Sequence, residues 1–351
     1  MTKTKTLILL FVTFLIACEK NTVEYNDLKT VLSGWEISKT NLSLDIIARD
    51  MFFIDSEIGF IVGFNGDIYK TINAGKLWTK QNSGTTLHLY SVFFINKNVG
   101  FASGRAMSGC FDEDCGKGSV VLKTSNGGET WTKMFFKDYT NIYSLKFLNE
   151  TKGVAIIETP DIPNARNCYL ATTSDGGNTW KFKDLAIFSS TSKIEYVDNI
   201  LYIAGDHQKI FKSKDYGDSW QTINTPILDS DNVQDIYFYN ENIGFIVGGT
   251  SIYKTSDGGL NWKSVDFPFS TFGTFHFYTE TEGFNFNIIC EYDGGDFPTF
   301  KGSIVYKTSN GGNSWNKSEL IDSLYLGMTY FPQKDLGYGI NGSEFYTIKR
   351  K

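Results

Sequence analysis

Short apolar segments separated by polar turns run through most of the chain, and they carry the period of strands rather than of helices. Tyr90-Ser91-Val92-Phe93-Phe94-Ile95 is one such segment, and between such segments recur Gly-Phe pairs and then stretches of the Ile-Tyr-Lys-Thr type. Each unit therefore reads as four short strands, A to D. The fifth unit shows this most cleanly. Its strand A is predicted over Val233 to Tyr239, B over Gly244 to Gly248 and C over Ser251 to Thr255, with D starting near Asn261.

The turn between C and D is itself repeated. TSNGGETW (124 to 131), TSDGGNTW (173 to 180), TSDGGLNW (255 to 262) and TSNGGNSW (308 to 315) are near copies, and TINAGKLW and SKDYGDSW are degraded ones. The glycines of this box accept positive φ, and the Asp or Asn at its third position accepts hydrogen bonds from turn amides. Asn73, Asn126, Asp175, Asp215, Asp257 and Asn310 hold that position. A box recurring six times cannot be six active sites, so these residues are predicted to be structural. The box ends in Trp78, Trp131, Trp180, Trp220, Trp262 and Trp315, and the remaining tryptophan of the chain is Trp35. A period of about 40–50 residues is that of four-stranded propeller blades. The predicted fold is all-β, a seven-bladed β-propeller over residues 33–351. Its last unit reaches strand C at Glu344 to Ile348 without a box, so Gly34-Trp35-Glu36-Ile37 is predicted to supply the missing strand D and to remove an open edge.

The first seventeen residues lie outside this pattern. Lys3 and Lys5 precede an apolar run from Leu7 to Ile16 that is too short to cross a bilayer as a helix and reads as a signal peptide. The run ends in Leu15-Ile16-Ala17-Cys18, which resembles a bacterial lipobox and makes Cys18 the lipidation site. Residues 18–32 then form a lipid anchor and tether, and the expected location is the cell envelope, on the periplasmic or cell-surface face of a bacterial membrane. Export permits disulfides. Cys110 and Cys115 flank Phe-Asp-Glu-Asp and are predicted to staple a loop, with Cys168 and Cys290 unassigned. A formal charge of −6 argues against nucleic acid.

The unit Gly-Phe-x-x-Gly followed by Ile-Tyr-Lys-Thr-Ser-Asp-Gly-Gly-x-x-Trp resembles the BNR/Asp-box propellers, in particular the photosystem II assembly and stability factor-like group. That resemblance implies a seven-bladed propeller that binds a partner membrane protein during assembly. It also implies an arginine-rich patch, whereas this chain has only Arg49, Arg105, Arg166 and Arg350. Sialidases carry the same box but need three clamping arginines and an Arg-Ile-Pro motif, which does not occur here. Xyloglucanase-type propellers come in tandem pairs, and one propeller is legible here. His88, His207 and His276 are scattered over three units, and Gly337-Tyr338-Gly339-Ile340-Asn341-Gly342 has no helix after it to make a dinucleotide loop. No cofactor, metal or catalytic residue is predicted.

The informative irregularities are insertions between strands B and C, at Arg105 to Gly118, Glu158 to Asn167 and Cys290 to Gly302. Antiparallel connections alternate ends, so these loops share the face opposite the boxes. Arg49, Tyr90, Tyr143, Gln234 and Gly273 form one column at that mouth, beside Asp50, Ser91, Ser144, Asp235 and Thr274. Arg49, Tyr90, Arg105, Tyr143, Arg166 and Asp235 are the candidate binding residues, with pairing of Arg49 to Asp50 as the alternative. The acidic loop residues Asp112, Glu113, Asp114, Glu291, Asp293 and Asp296 are candidates for a basic partner or calcium, although no D-x-D-x-D-G loop is present. The expected function is a non-catalytic, monomeric envelope lipoprotein whose mouth binds a protein or glycan. The competing expectation is a sialidase-like or xyloglucanase-like hydrolase with a degenerate site.

Overall fold

The computed structural model describes residues 29–351, apart from 33, 106–113, 115–117, 137–140, 160–166, 188–192, 205–207, 229–232, 249–250, 268–273, 292–298, 323–325 and 327. Two strands, β1 (Lys29–Leu32) and β2 (Trp35–Ser43), precede the first blade. Blade one comprises β3 (Ala48–Phe53), β4 (Gly59–Gly63), β5 (Ile68–Thr71) and β6 (Thr79–Gln81). Blade two comprises β7 (His88–Phe94), β8 (Gly100–Arg105), β9 (Ser119–Thr124) and β10 (Thr132–Phe136). Blade three follows with β11 (Asn141–Phe147), β12 (Gly153–Thr159), β13 (Asn167–Thr173) and β14 (Lys181–Ile187). Blade four has β15 (Ile194–Val197), β16 (Ile200–Ala204), β17 (Lys209–Ser213) and β18 (Gln221–Asn224). Blade five has β19 (Val233–Phe238), β20 (Gly244–Gly248), β21 (Ser251–Thr255) and β22 (Lys263–Val265). Blade six has β23 (Thr274–Phe277), β24 (Gly283–Glu291), β25 (Thr299–Thr308) and β26 (Asn316–Asp322). Blade seven is built from β27 (Met328–Gln333), β28 (Leu336–Asn341), β29 (Glu344–Arg350) and, as its fourth strand, β2.

These seven antiparallel sheets form a closed seven-bladed β-propeller. The seam lies where the sequence places it, with Trp35 opposite Arg350 and Ile37 opposite Ile348. One feature departs from the sequence reading. Lys29–Leu32, assigned there to the tether, pairs with β2 as a fifth strand, Leu32 opposite Trp35 and Lys29 opposite Ser38. Its short apolar Val-Leu content resembles a linker in isolation, and the strand exists because β2 offers it an edge.

The core lies between blades rather than within them. One cluster joins Phe60, Val62 and Ile68 of blade one to Leu89, Val92 and Phe94 of blade two, and another joins Phe53, Ile61 and Trp78 to Tyr338 and Phe345 across the seam. The Gly-Phe pairs explain the fit. Strand A's last phenylalanine lies over the glycine, so a Cβ on Gly59 would meet the Phe53 ring at 2.5 Å. The aromatic that follows then stacks on the next blade, Phe60 on Phe94 at 4.0 Å and Phe101 on Phe147 at 3.5 Å, and in blade four Tyr202, which follows Leu201 instead of a glycine, stacks on Phe238 at 3.7 Å. Such aromatic pairs add about 0.5–1.5 kcal/mol each beyond the area they bury.

The box side chains hydrogen-bond within their own turns. In blade five the Thr255 hydroxyl donates to Asp257 Oδ1 (2.9 Å) and accepts from the Gly259 amide (2.9 Å), while Asn261 N–H donates to Asp257 Oδ1 (2.8 Å). Blade one repeats this with Thr71, Asn73, Gly75 and Leu77. Hydrogen bonds from Thr179 and Ser219 hold the Asp175 and Asp215 carboxyls down at about 2, and Asn261 lowers Asp257 in the same way. A carboxylate whose folded value lies below the unfolded one, about 3.9, stabilises the fold above that value and loses the effect as pH falls toward 2. The triple variant Asp175→Asn, Asp215→Asn, Asp257→Asn keeps the box acceptors that Asn73, Asn126 and Asn310 already use. It should be less stable than the parent near neutral pH, where the ionised carboxylates contribute, and should show a flattened acid limb between about pH 4 and 2, converging on the parent at the acid end. Acid titration followed by circular dichroism checks this, and an unchanged acid limb would contradict it.

Candidate functional site

Strand A is the innermost strand of every blade, and its free edge faces the central channel. Side chains from one blade capture backbone N–H groups of the next. Val92 N–H donates to Asp50 Oδ2 (2.8 Å), Ile194 N–H to Ser144 Oγ (3.4 Å) and Phe277 N–H to the Tyr237 hydroxyl oxygen (3.3 Å), while the Glu195 carboxylate accepts from Phe238 N–H. These bonds protect an edge that would otherwise stay unpaired. Burial pushes the Asp50 and Glu195 carboxyls up, partly opposed by Val92 N–H at Asp50 and by Lys193 and Lys146 at Glu195.

At the mouth, the column read from the sequence has a specific backbone origin. The pairing of strand A with strand B shifts register between Ala48 and Asp50, Leu89 and Ser91, Ile142 and Ser144, and Val233 and Asp235. Arg49, Tyr90, Tyr143 and Gln234 are therefore the extra residues of four β-bulges, devices that re-aim a side chain at the rim of a sheet.

Arg49 does not pair with Asp50. Both carboxylate oxygens of Asp50 are engaged by backbone, Oδ1 accepting from Met51 N–H (2.8 Å) and Oδ2 from Val92 N–H. The Arg49 guanidinium instead lies 4.2 Å over the Phe64 ring, and its buried Nε has no hydrogen-bond acceptor among the described residues. His88 stacks on Phe64 at 4.1 Å with 14° between planes, and its Nδ1 accepts the Asn65 amide (3.2 Å). Arg105 stands 5.5 Å over Tyr90, which Arg49 also approaches at 5.9 Å. Burial, then the charges of Arg49 and Arg105, lowers the His88 pKa, so the ring is neutral at pH 7. Arg49 remains charged although burial lowers its value too.

Phe64 and His88 are the members that sequence reasoning missed. Phe64-Asn65-Gly66-Asp67 is a two-residue hairpin turn between β4 and β5, with Asp67 N–H donating to Phe64 O (3.1 Å) and positive φ at Asn65 (57°) and Gly66 (72°). The Asn-Gly pair was the available signal for that turn, but nothing in the sequence showed what its leading aromatic would touch.

The other candidates fall elsewhere. Asp235 accepts an ion pair from Lys193 (2.8 Å) on the channel side of blades four and five. Asp114, predicted as an acidic rim group, is buried and paired with Lys133 at 2.9 Å. The side chains of Tyr143 and Arg166, the pair Cys110 and Cys115, and Cys18 lie outside the described residues. Cys168 is buried between blades three and four, and Cys290 belongs to β24, so two blades separate them. His276 stacks on Phe331 (4.0 Å), and burial pushes its pKa down to about 4. Among the described residues no group of three or more His, Cys, Asp or Glu side chains is placed to hold a metal ion.

No protein-family model and no curated protein matches the sequence. Solved structures do match. "YCF48 bound to D1 peptide" aligns at a TM-score of 0.63 and 15% identity, covering 93% of this chain and 100% of that one. YCF48 from Cyanidioschyzon merolae aligns at 0.62 and 14%, covering 90% and 99%. These likenesses show the fold. The GH74 enzyme of Niastella koreensis aligns at 0.64 and 15%, covering 89% of this chain and 53% of the enzyme, so the chain spans about half of that hydrolase.

Proposed function

We propose that this protein is a non-catalytic propeller scaffold that captures a carboxylate-bearing segment of a protein partner at the mouth of blades one and two. The carrying observation is Arg49, stacked on Phe64 with a buried Nε that no described residue satisfies, within reach of Tyr90 and, through it, Arg105. A guanidinium offers a planar fork to a carboxylate, and the flanking rings supply rigid apolar area at low entropic cost. Ile47 is exposed, and its carbonyl accepts Phe64 N–H (3.2 Å), which adds an apolar contact at the same rim. The YCF48 structure holds a D1 peptide, so a propeller of this fold has a precedent for peptide binding. Channel acids are a poor basis for hydrolysis, since Asp50 and Glu195 bond to backbone and Asp235 to Lys193.

The double variant Arg49→Ala, Arg105→Ala should bind immobilised acidic peptides at least about tenfold more weakly, because charge-assisted hydrogen bonds contribute about 1.5–3 kcal/mol each. Its melting temperature should barely move. Undiminished capture by a folded double variant would remove the site, and saturable hydrolysis of a sialoside or xyloglucan would overturn the non-catalytic reading. The proposal also places the protein at the cell envelope of a bacterium, held by a lipid on Cys18. Cys18→Ser should leave a larger, unacylated precursor, and a mature N-terminus found elsewhere by mass spectrometry would contradict the anchor.

A further inference from the structure

In an Asn-Gly pair the asparagine side-chain carbon is open to attack by the next backbone nitrogen, because glycine brings no Cβ to hinder the approach. The pair occurs at four places: Asn65-Gly66, Asn126-Gly127, Asn310-Gly311 and Asn341-Gly342. The fold treats them unequally. In the boxes both reacting groups are held. Asn126 Oδ1 accepts from the Thr124 hydroxyl (2.9 Å) and from Thr130 N–H (3.0 Å), its Nδ2 donates to Thr130 Oγ1 (2.9 Å), and Gly127 N–H donates to Asn98 O (2.8 Å). Asn310 is held in the same way by Thr308 and Ser314, and Gly311 N–H donates to Thr281 O (2.7 Å). In blade seven the Asn341 side chain hydrogen-bonds the Tyr346 hydroxyl.

Asn65 differs. It is exposed at the tip of the turn between β4 and β5, and among the described residues neither its side chain nor the Gly66 N–H makes a hydrogen bond. The attack requires the Asn65 ψ to swing away from 27°. The tip can do this by releasing Asn65 N–H from His88 Nδ1 (3.2 Å) and Asp67 N–H from Phe64 O (3.1 Å). A box must in addition give up every bond on its asparagine side chain and on the glycine that follows.

We propose that Asn65 is a site of spontaneous deamidation, which writes a negative charge into the mouth as the protein ages. The Gly66 nitrogen bonds to the Asn65 side-chain carbon, the bond from that carbon to Nδ2 breaks, and the side-chain nitrogen leaves as ammonia with the Gly66 amide proton. One water then opens the cyclic imide and leaves aspartate or isoaspartate at position 65. Asp-Gly suits the same turn as Asn-Gly, so the aspartate product keeps the fold and adds charge. That charge lies next to Phe64, on which Arg49 stacks at 4.2 Å, and beside His88, so it competes with an incoming carboxylate for the guanidinium. The effect on capture rests on the function proposed above, whereas the modification site does not.

The test ages the full chain in mildly alkaline buffer, natively and in urea, and maps it by peptide mass spectrometry. In urea all four pairs should react at similar rates. In the native protein the Asn65 peptide should show the NH2-to-OH mass change at least about tenfold faster than the peptides holding Asn126, Asn310 or Asn341. Any of those three keeping pace with Asn65, or a native Asn65 that stays intact after all four pairs have reacted in urea, overturns the site. Asn65→Asp tests the charge. It should raise the His88 pKa, followed by NMR, and weaken capture of immobilised acidic peptides about threefold. An unmoved His88 titration overturns the charge effect, and it decides the point even if the parent captures no acidic peptide, a result that would refute the mouth instead.

Discussion

Trp35→Ala is expected to destabilise the protein by about 3–5 kcal/mol, the range for truncating a buried tryptophan. Although Trp35 comes before every complete blade in the sequence, it is buried at the last junction, 5.0 Å from Phe284, 5.9 Å from Tyr278 and 6.1 Å from Phe331. The loss combines a cavity on the blade-six side with a weakened seam, since the same residue starts β2. Trp262→Ala provides the comparison. Trp262 is only partly buried, so its truncation should cost less. Urea unfolding of the two variants measures both, and a Trp35→Ala midpoint equal to the parent's would mean that the ring does not close through β2.

The second large effect is expected at Gly66. Its φ of 72° is unfavourable for any side chain, and a Cβ there would lie 1.8 Å from the Thr85 carbonyl oxygen, a backbone atom that cannot swing aside. Gly66→Ala should therefore cost about 2–3 kcal/mol. It should also weaken acidic-peptide binding, because the same turn presents Phe64 to Arg49. Gly84→Ala separates strain from collision. Gly84 has the same φ of 72° but nothing within 4 Å, so that substitution should cost about 1 kcal/mol and leave binding intact. Equal stability of the two variants would show that contact with Thr85 is not the cause.

What the sequence made legible was what repeats. The boxes, the tryptophan register, the strands of blade five and the seam at Trp35 all follow from comparing one unit with the next, and each recurs in space. Contacts that occur once were harder to read. Arg49 and Arg105 both approach the Tyr90 ring, but the ring pair beneath Arg49 is not legible from the sequence. Phe64 leads a turn and His88 opens a strand, and their stacking depends on two connections that the sequence treats separately. The sequence offers Asp50 as a partner for Arg49. The bulge directs Arg49 elsewhere, and the carboxylate binds Met51 and Val92 instead. Asn285 is a third case. It sits in a strand-B column held by Ile61, Ala102, Ala155 and Ile246, fully buried with neither amide atom hydrogen-bonded among the described residues, and no periodicity argument anticipates it.

The strip formed by β1 also governs how the ring responds to mechanical load. Force entering at Lys29 acts at the open end of the hairpin that β1 makes with β2, where Lys29 faces Ser38 and Leu32 faces Trp35. Antiparallel pairs loaded from that end unzip in succession rather than all together. Four residues can therefore peel away while β2 stays bonded to β29, so a tug on the N-terminal side is absorbed by an expendable edge before it reaches the bonds that keep seven blades in a circle.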